Sequence, residues 1–150
     1  EKSADIYVKS SKILKPINCP SSLNSSAIDE FLLIFLLAGT KTNGISTFKE
    51  LGELNKKESP RLNIAIKFLR MIGIRVKRNK NDIKIYGKPN LYLKKKYQIK
   101  NFLKDHRVFM MSCVAALTLG GNWKINDKDS INTSFPNFLN ILKLLGANIK

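Results

Sequence analysis

The sequence predicts an α/β fold built from repeated units, because strand-like and helix-like segments alternate along the chain. The order helix, strand, polar loop, helix, glycine, strand occurs twice, with an offset of about 75 residues. The first occurrence ends in Ile72-Gly73-Ile74-Arg75-Val76 and the second in Leu145-Gly146-Ala147-Asn148-Ile149. We therefore expect part of one domain, with two half-repeats at about 1–90 and 91–150.

The first half opens with a strand pattern, in which Ile6 and Val8 alternate with polar residues. The serine-rich segment that follows supplies N-cap candidates for a helix over about 27–38. That helix is apolar nearly all round, so we expect it to be buried. It should end at Gly39, before a short strand at about 45–48.

The second helix of this half has a clear start and a clear end. Ser59 and Pro60 are typical of an N-cap followed by proline at the first helical position. Apolar residues recur at helical spacing from there to Gly73, which should end the helix. Two strands joined by a turn are expected next, at about 74–76 and 83–86.

The second half follows the same plan after a basic stretch that runs to Lys104 without an assigned element. We expect a helix over about 106–119, followed by two glycines and a strand at about 123–126. Ser134-Phe135-Pro136 should open the last helix, and Gly146 should end it.

The chain is strongly basic, with a formal net charge of +16. Clustered cations favour a nucleic-acid partner, but 22 of the 27 basic residues are lysine and only 5 are arginine. Arginine is the usual residue for base edges and phosphates. Lysine, isoleucine and asparagine supply 54 of the 150 residues, as an AT-rich coding sequence would produce. The composition therefore argues against nucleic acid, although a basic nucleic-acid-binding α/β module stays open as an alternative.

The cysteines and the apolar runs indicate a cytoplasmic protein. Cys19 and Cys113 lie far apart and in no metal-binding spacing, so we expect reduced thiols, with Cys113 buried in a helix. The longest apolar run, Phe31 to Ala38, is much shorter than the roughly 20 residues of a membrane span. The start at Glu1 shows no secretory pattern, and we interpret it as a cut or processed point.

Polar residues collect where the helices are expected to begin. They are Asp29 and Glu30; Lys57, Glu58 and Arg61; Asp105, His106 and Arg107; and Thr133 and Ser134. Each alone has an ordinary structural explanation as a cap, a surface charge or a satisfied histidine. Together, helix N-termini and arginines form a site for phosphate and carboxylate, and here acids lie within it. The chain has no phosphate-loop, dinucleotide, nucleophile-elbow or zinc-protease motif, and we expect no cofactor and no metal.

These residues fall into motifs with a definite order. The motifs are Ile28-Asp29-Glu30, Glu53-Leu54, Lys57-Glu58-Ser59-Pro60-Arg61, Asp105-His106-Arg107, Thr133-Ser134-Phe135-Pro136-Asn137-Phe138 and Leu144-Leu145-Gly146-Ala147. In order and spacing they resemble the signatures of the EPSP synthase (3-phosphoshikimate 1-carboxyvinyltransferase) family. Ala4-Asp5-Ile6-Tyr7-Val8 and the segment from Ser10 to Pro20 also match, so the resemblance covers nearly the whole chain.

The resemblance implies a role for each matching residue in the transfer of the enolpyruvyl group of phosphoenolpyruvate to shikimate 3-phosphate. Asp29 would accept the proton of the 5-hydroxyl and hold that substrate, and Lys57 would contact shikimate 3-phosphate. Glu58 would protonate and deprotonate the methylene carbon. Arg61 and Arg107 would bind phosphoenolpyruvate, with His106 as a lower-ranked neighbour.

The resemblance also implies the fold, an inside-out α/β barrel with two domains of three βαβαββ units each, helices inside and sheet outside. This chain would be a carboxy-terminal portion that depends on the remainder of the same enzyme for its other substrate contacts. It departs from the family pattern at Pro60, usually aspartate, at Asn55, usually arginine, and at Leu32, usually proline. Thr133 stands where some relatives have lysine.

A sister enzyme that acts on UDP-N-acetylglucosamine is the nearest alternative, since it shares the fold and the enol chemistry. The motifs around Lys57 to Arg61 and Asp105 to Arg107 fit the shikimate enzyme better.

Overall fold

The computed structural model of the protein describes residues 4–5, 7 and 9–149. The strands are β1 (Asn18–Cys19), β2 (Ile45–Phe48), β3 (Arg75–Asn79), β4 (Asp82–Tyr86), β5 (Lys96–Ile99) and β6 (Asn122–Ile125). The helices are α1 (Phe31–Thr40), α2 (Arg61–Met71), α3 (His106–Leu119) and α4 (Phe138–Leu144). Short 3-10 helices occur at Ser21–Leu23, Leu51–Lys56 and Lys128–Ile131. Strands and helices alternate, so the chain is a mixed α/β structure.

Each half of the chain contains a parallel strand pair that is connected through a helix. In the first half β1 lies parallel to β2, and α1 connects them. In the second half β5 lies parallel to β6, and α3 connects them. The first sheet has the order β1-β2-β4-β3, and its β3–β4 hairpin pairs antiparallel with β2 through β4. Parallel neighbours need such a crossover connection.

Aromatic side chains pack in the core both within the first half and between the two halves. Phe48 of β2 is completely buried and lies edge-on against Phe35 of α1, with ring centroids 4.9 Å apart. Trp123 of β6 stacks on Tyr97 of the neighbouring strand β5 and on Phe68 of α2, which belongs to the first half. Burial of one such ring contributes roughly 1.5–3 kcal/mol. The contact between Phe68 and Trp123 is therefore one attachment of the second sheet to the first half.

Several predicted elements are confirmed. The strand at 45–48 and the helix at 106–119 have the predicted bounds, and β3 and β4 form the predicted hairpin. The second helix ends as expected, because Gly73 follows it with a positive φ of 87°. Cys113 is buried in α3, and this burial raises the pKa of its thiol to about 12. Both cysteines are free thiols.

The first helix differs from the prediction at both ends. It begins at Phe31, since the preceding residues form turns, and none of the serines before it caps it. It also continues through Gly39 to Thr40. A Cβ at Gly39 would lie only 3.2 Å from the side chains of Leu69 and Ile74. Gly39 therefore allows close packing of α1 against these side chains and does not mark the end of the helix; the helix preference that it forfeits is only about 1 kcal/mol.

The prediction that this helix is buried is confirmed for most of its residues, but part of its apolar surface is exposed. Leu33 and Leu37, one turn apart on α1, are 40% and 46% exposed. On α3, Leu117 is similarly exposed, and Met110 and Val114 on the same face are half-buried. The described part of the chain therefore leaves apolar side chains uncovered on two neighbouring helices.

Three other predictions need correction. Ser59 does not cap α2, which begins at Arg61 after Pro60; the Ser59 hydroxyl instead donates to Asp105. The basic stretch, to which no element was assigned, contains β5. Its exposed residues alternate with half-buried or buried ones, but the lysines around it hide this pattern in the sequence. The last helix begins at Phe138, because residues 132–137 form turns.

Two further observations complete the fold. The strand predicted around Ile6 and Val8 falls on residues outside the described ones. Among the helices that the structure describes, none combines the length and the apolar character needed to cross a bilayer.

Candidate functional site

Arg61, the first residue of α2, lies at the centre of a cluster of charged side chains. Its side chain is only 1% exposed, yet it contacts three carboxylates. Nε donates to Asp105 Oδ2 at 2.8 Å, Nη1 donates to Asp29 Oδ1 at 2.9 Å and Nη2 donates to Glu58 Oε2 at 2.5 Å. Such charge-assisted hydrogen bonds fix a guanidinium in one plane and orientation. Arg61 therefore connects residues from three separate segments of the chain.

Asp105 is the fully buried member of the cluster and the N-cap of α3. Its Oδ1 accepts hydrogen bonds from the backbone N–H groups of Arg107, at 2.9 Å, and Val108, at 3.4 Å. Its Oδ2 accepts from Arg61 Nε and from the Ser59 hydroxyl, each at 2.8 Å. A buried carboxylate is stable only when its oxygens are satisfied in this way. Asp105 thus ties the start of α2 to the start of α3.

Arg107, the second residue of α3, contacts the same acidic segment from the other side. Its Nη1 donates to the backbone carbonyl oxygen of Asp29 at 2.9 Å, and its Nη2 lies 3.4 Å from Asp29 Oδ2. Nη1 is also 3.4 Å from Glu30 Oε1. The Asp29 carboxylate therefore lies between two arginines, at the N-termini of helices that belong to different halves of the chain.

The buried charges shift one another's proton affinity. Burial alone raises the pKa of Asp105, but the hydrogen bonds from Arg61 and Ser59 outweigh burial and hold that pKa below its usual range. Burial alone lowers the pKa of Arg61, but the hydrogen bond and the charge of Asp105 and the hydrogen bond to Asp29 raise it. Both groups therefore stay ionised at neutral pH.

The other residues proposed from the sequence lie around this cluster. Glu58 is 55% exposed and Asp29 is 40% exposed, so both carboxylates reach solvent although they are bonded to Arg61. Lys57 is exposed at the end of the 3-10 helix before α2, and within the described residues its side chain has no ion pair. His106 is half-buried as the first residue of α3.

The residues at which the sequence departs from the family pattern do not disrupt the cluster. Pro60 occupies the position of an acid next to Arg61, and Arg61 is nevertheless held by three other acids. Asn55 accepts a hydrogen bond from the backbone N–H of Asn63 through its side-chain oxygen. Thr133 is exposed in the turns before α4.

Sequence reasoning placed Asp105 among the polar residues at the helix starts but gave it no role, and it treated Ser59 only as a helix cap. Asp105 stands directly before a helix with clear apolar spacing, which identifies an N-cap but not a partner for Arg61. Ser59 was expected to be a cap for the same local reason. Their shared contact spans 46 residues of sequence, and no local pattern contains it.

Acidification tests the charge state of Asp105. Because its pKa is lowered in the folded state, its ionised form contributes stability that is fully present above the unfolded pKa, about 3.9, and lost as pH falls through the folded pKa. We expect Asp105→Asn to be less stable than wild type at pH 7, and the difference to shrink below about pH 4. Urea unfolding at pH 7, 5, 4 and 3 measures this, with the exposed Asp5→Asn as control. A difference that stays constant from pH 7 to pH 3 would contradict the assignment.

The fold and the cluster define an α/β protein in which two arginines at helix N-termini hold carboxylate side chains, an arrangement of charges that suits phosphate and carboxylate groups. The EPSP synthase (3-phosphoshikimate 1-carboxyvinyltransferase) family model matches residues 1–142 of the chain. The chain belongs to this family.

Individual relatives agree with this assignment. A 3-phosphoshikimate 1-carboxyvinyltransferase of Zymomonas mobilis is 36% identical over 152 residues, which cover 100% of this chain and 33% of that protein. The enzymes of the same name from Thermodesulfovibrio yellowstonii and Staphylococcus aureus are 31% and 36% identical, each over 97% of this chain. The chain spans about a third of the length of these relatives.

Proposed function

We propose that this chain forms part of an enzyme that transfers the enolpyruvyl group of phosphoenolpyruvate to the 5-hydroxyl of shikimate 3-phosphate and releases phosphate. This reaction belongs to the shikimate pathway of aromatic amino acid biosynthesis. The observation that carries the proposal is the position of the Asp29 carboxylate between Arg61 and Arg107, with Glu58 on the same guanidinium. The family membership of residues 1–142 supports it.

The two carboxylates have the chemistry that the reaction needs. In the addition step, the 5-hydroxyl oxygen bonds to C2 of phosphoenolpyruvate, its proton passes to Asp29, and Glu58 protonates C3. In the elimination step, Glu58 removes a proton from that methyl group, the double bond re-forms and the bond between C2 and the phosphate oxygen breaks. The phosphate leaves with the proton that Asp29 accepted, so both carboxyl groups return to their starting states. Both steps pass through oxocarbenium-like states that fixed cations and positioned acids stabilise.

The two arginines are proposed to bind phosphoenolpyruvate. Arg107 is 30% exposed and offers the more open cation. Arg61 is buried behind Asp29 and Glu58, so the ligand reaches it only when one of these exposed carboxylates turns away. Lys57 extends from the same segment as Glu58 and is proposed to contact shikimate 3-phosphate. His106, which precedes Arg107 at the start of α3, is proposed as a lower-ranked substrate-binding neighbour.

We also propose that the chain contains one complete βαβαββ unit and most of a second, within one domain of an inside-out α/β barrel. Its support is the order strand, helix, strand, 3-10 helix, helix, which runs from β1 to α2 and again from β5 to α4. The uncovered residues Leu33, Leu37 and Leu117 would then pack against another unit of the enzyme.

Hydrogen exchange of α1 and α3 should be slower in the complete enzyme than in the isolated chain; equal rates would contradict this packing.

A phosphate-release assay on the complete enzyme tests the function. We expect release that requires both phosphoenolpyruvate and shikimate 3-phosphate, and none when UDP-N-acetylglucosamine replaces the latter. Release with phosphoenolpyruvate and the nucleotide sugar, in the absence of shikimate 3-phosphate, would favour the sister enzyme. DNA titration at two salt concentrations covers the remaining alternative, because binding driven by phosphate contacts weakens steeply as salt rises.

The isolated 150 residues should show no detectable turnover and only millimolar or weaker affinity for phosphoenolpyruvate. Without the rest of the enzyme, water stays in the site, and each ion pair contributes only about 1 kcal/mol. NMR titration should show small shifts confined to residues near Arg61 and Arg107. Shifts along Lys94 to Lys104 instead would contradict the site, and micromolar binding would show that the rest of the enzyme is not needed to complete it.

A further inference from the structure

Asp105 is the only acid of the cluster without access to solvent, since its side chain is 0% exposed. It therefore cannot touch a ligand that enters from the side of Asp29 and Glu58. Yet it makes more contacts with the two arginine-bearing helix starts than either exposed acid does. Its contribution to the site must act through the residues that it holds.

Those contacts determine the orientation of Arg61. Asp105 accepts hydrogen bonds from Arg61 Nε at 2.8 Å and from Arg61 Nη2 at 3.4 Å, so it binds one edge of the guanidinium. Asp29 accepts from Nη1, and Glu58 shares Nη2 with Asp105, so the Nη1–Nη2 edge of the guanidinium faces the two half-exposed acids. A planar group held along one edge presents the other edge in a fixed direction.

The same carboxylate also holds Arg107, through the backbone. Its Oδ1 accepts the N–H of Arg107 at 2.9 Å and so fixes the first turn of α3, which carries that side chain. Ser59 donates to the other oxygen, Oδ2, and restrains rotation of the carboxylate. One buried group thus contacts the side chain of one arginine and the main chain of the other.

We propose that Asp105, braced by Ser59, is a positioning residue that sets the spacing and direction of the two cations of the anion site. A ligand with a carboxylate and a phosphate group, such as phosphoenolpyruvate, needs two cations at a defined separation. Shikimate 3-phosphate, which supplies the 5-hydroxyl, does not depend on these two cations. Loss of Asp105 therefore weakens binding of phosphoenolpyruvate selectively. This inference rests on the proposed function.

The test uses the complete enzyme and four variants: Asp105→Asn, Ser59→Ala, Arg61→Lys and, as control, Ser112→Ala. Ser112 is a buried serine of the same helix, and its hydroxyl donates to the carbonyl oxygen of Val108 and not to a charged side chain of the cluster. We expect Asp105→Asn to raise the KM for phosphoenolpyruvate at least about tenfold and Ser59→Ala about threefold. The KM for shikimate 3-phosphate should change less than about twofold in both, and Ser112→Ala should change neither.

NMR of the arginine Nε–H groups reports directly whether Asp105 holds Arg61 in place, while the separate KM values distinguish positioning from a general loss of structure. In wild type the Arg61 Nε–H should exchange slowly with solvent, since it is buried against Asp105. In Asp105→Asn it should shift and exchange at least about tenfold faster, while Ser112→Ala leaves it unchanged.

The outcomes separate the inference from the proposed function. If Arg61→Lys weakens phosphoenolpyruvate binding but folded Asp105→Asn does not, the positioning role is wrong and the function stands. If Arg61→Lys also has no effect on the KM for phosphoenolpyruvate, the proposed site is wrong. Should Asp105→Asn fail to fold, Ser59→Ala decides, because it keeps the ion pair; an unchanged KM for phosphoenolpyruvate in that variant overturns the inference.

Discussion

Glu58→Gln and Asp29→Asn should each lower the turnover number of the complete enzyme by about 10² or more, as expected when a general acid or base loses its proton-transfer group. Both replacements keep the side-chain shape and an oxygen that can accept from Arg61. Both carboxylates are well exposed, at 55% and 40%, so the free energy of unfolding should change by less than about 1 kcal/mol. Steady-state kinetics with saturating substrates, together with urea unfolding, measure the two effects.

Glu53→Gln is the matched control for these variants. Glu53 is also an exposed glutamate with an ion pair, to Lys56, but lies outside the arginine cluster. It should retain near-normal turnover. Near-normal turnover in both Glu58→Gln and Asp29→Asn would remove the assignment of acid and base roles, whereas an equal loss in Glu53→Gln would attribute the effect to surface charge.

Arg61→Met should destabilise the folded protein by about 3–5 kcal/mol. The variant leaves Asp105 buried without its cationic partner, and it leaves Asp29 and Glu58 without the guanidinium that holds them. Leaving one buried charge unpaired costs far more than the net stabilisation of an intact pair, because the desolvation of that charge is no longer offset. Equilibrium unfolding in urea at pH 7 gives the difference from wild type.

Two further variants make this result specific. Arg61→Met combined with Asp105→Leu removes the unpaired charge and should recover much of the lost stability, as apolar replacements of buried ion pairs do. Arg78→Met removes an exposed arginine that donates to Asn63, and it should change stability by no more than about 0.5 kcal/mol. If Arg61→Met lowers the free energy of unfolding by no more than Arg78→Met does, the buried Asp105 carboxylate does not need Arg61 as its partner.

Elements that depend on neighbours in sequence were predictable. The helix from His106 has apolar residues at helical spacing and an aspartate directly before it, and its predicted bounds are those of α3. The hairpin of β3 and β4 follows from strand alternation around a polar turn, in which Lys80 has a positive φ of 50°. In both cases the deciding interactions lie within a few residues of one another.

Elements that depend on distant contacts were predicted incorrectly or not at all. Gly39 lies inside the helix where Leu69 and Ile74, about 30 residues later, leave little room for a larger side chain, and no local pattern shows this. Strand β5 gains its partner only from β6, which begins more than 20 residues further along the chain. Propensity gives only a weak preference, and tertiary packing overrides it.

The candidate site divides in the same way. The sequence alone determined which residue types stand at the helix starts, since capping, the helix dipole and the family motifs are all local patterns. Only the tertiary structure decided that Arg61 is buried, that Asp29 lies between Arg61 and Arg107, and that Asp105 and Ser59 hold the cluster from behind. These contacts join residues 32 to 78 positions apart. Their geometry follows from how α2 and α3 are placed by the core, because packing brings the two helix starts together and burial then requires each charge to find a partner.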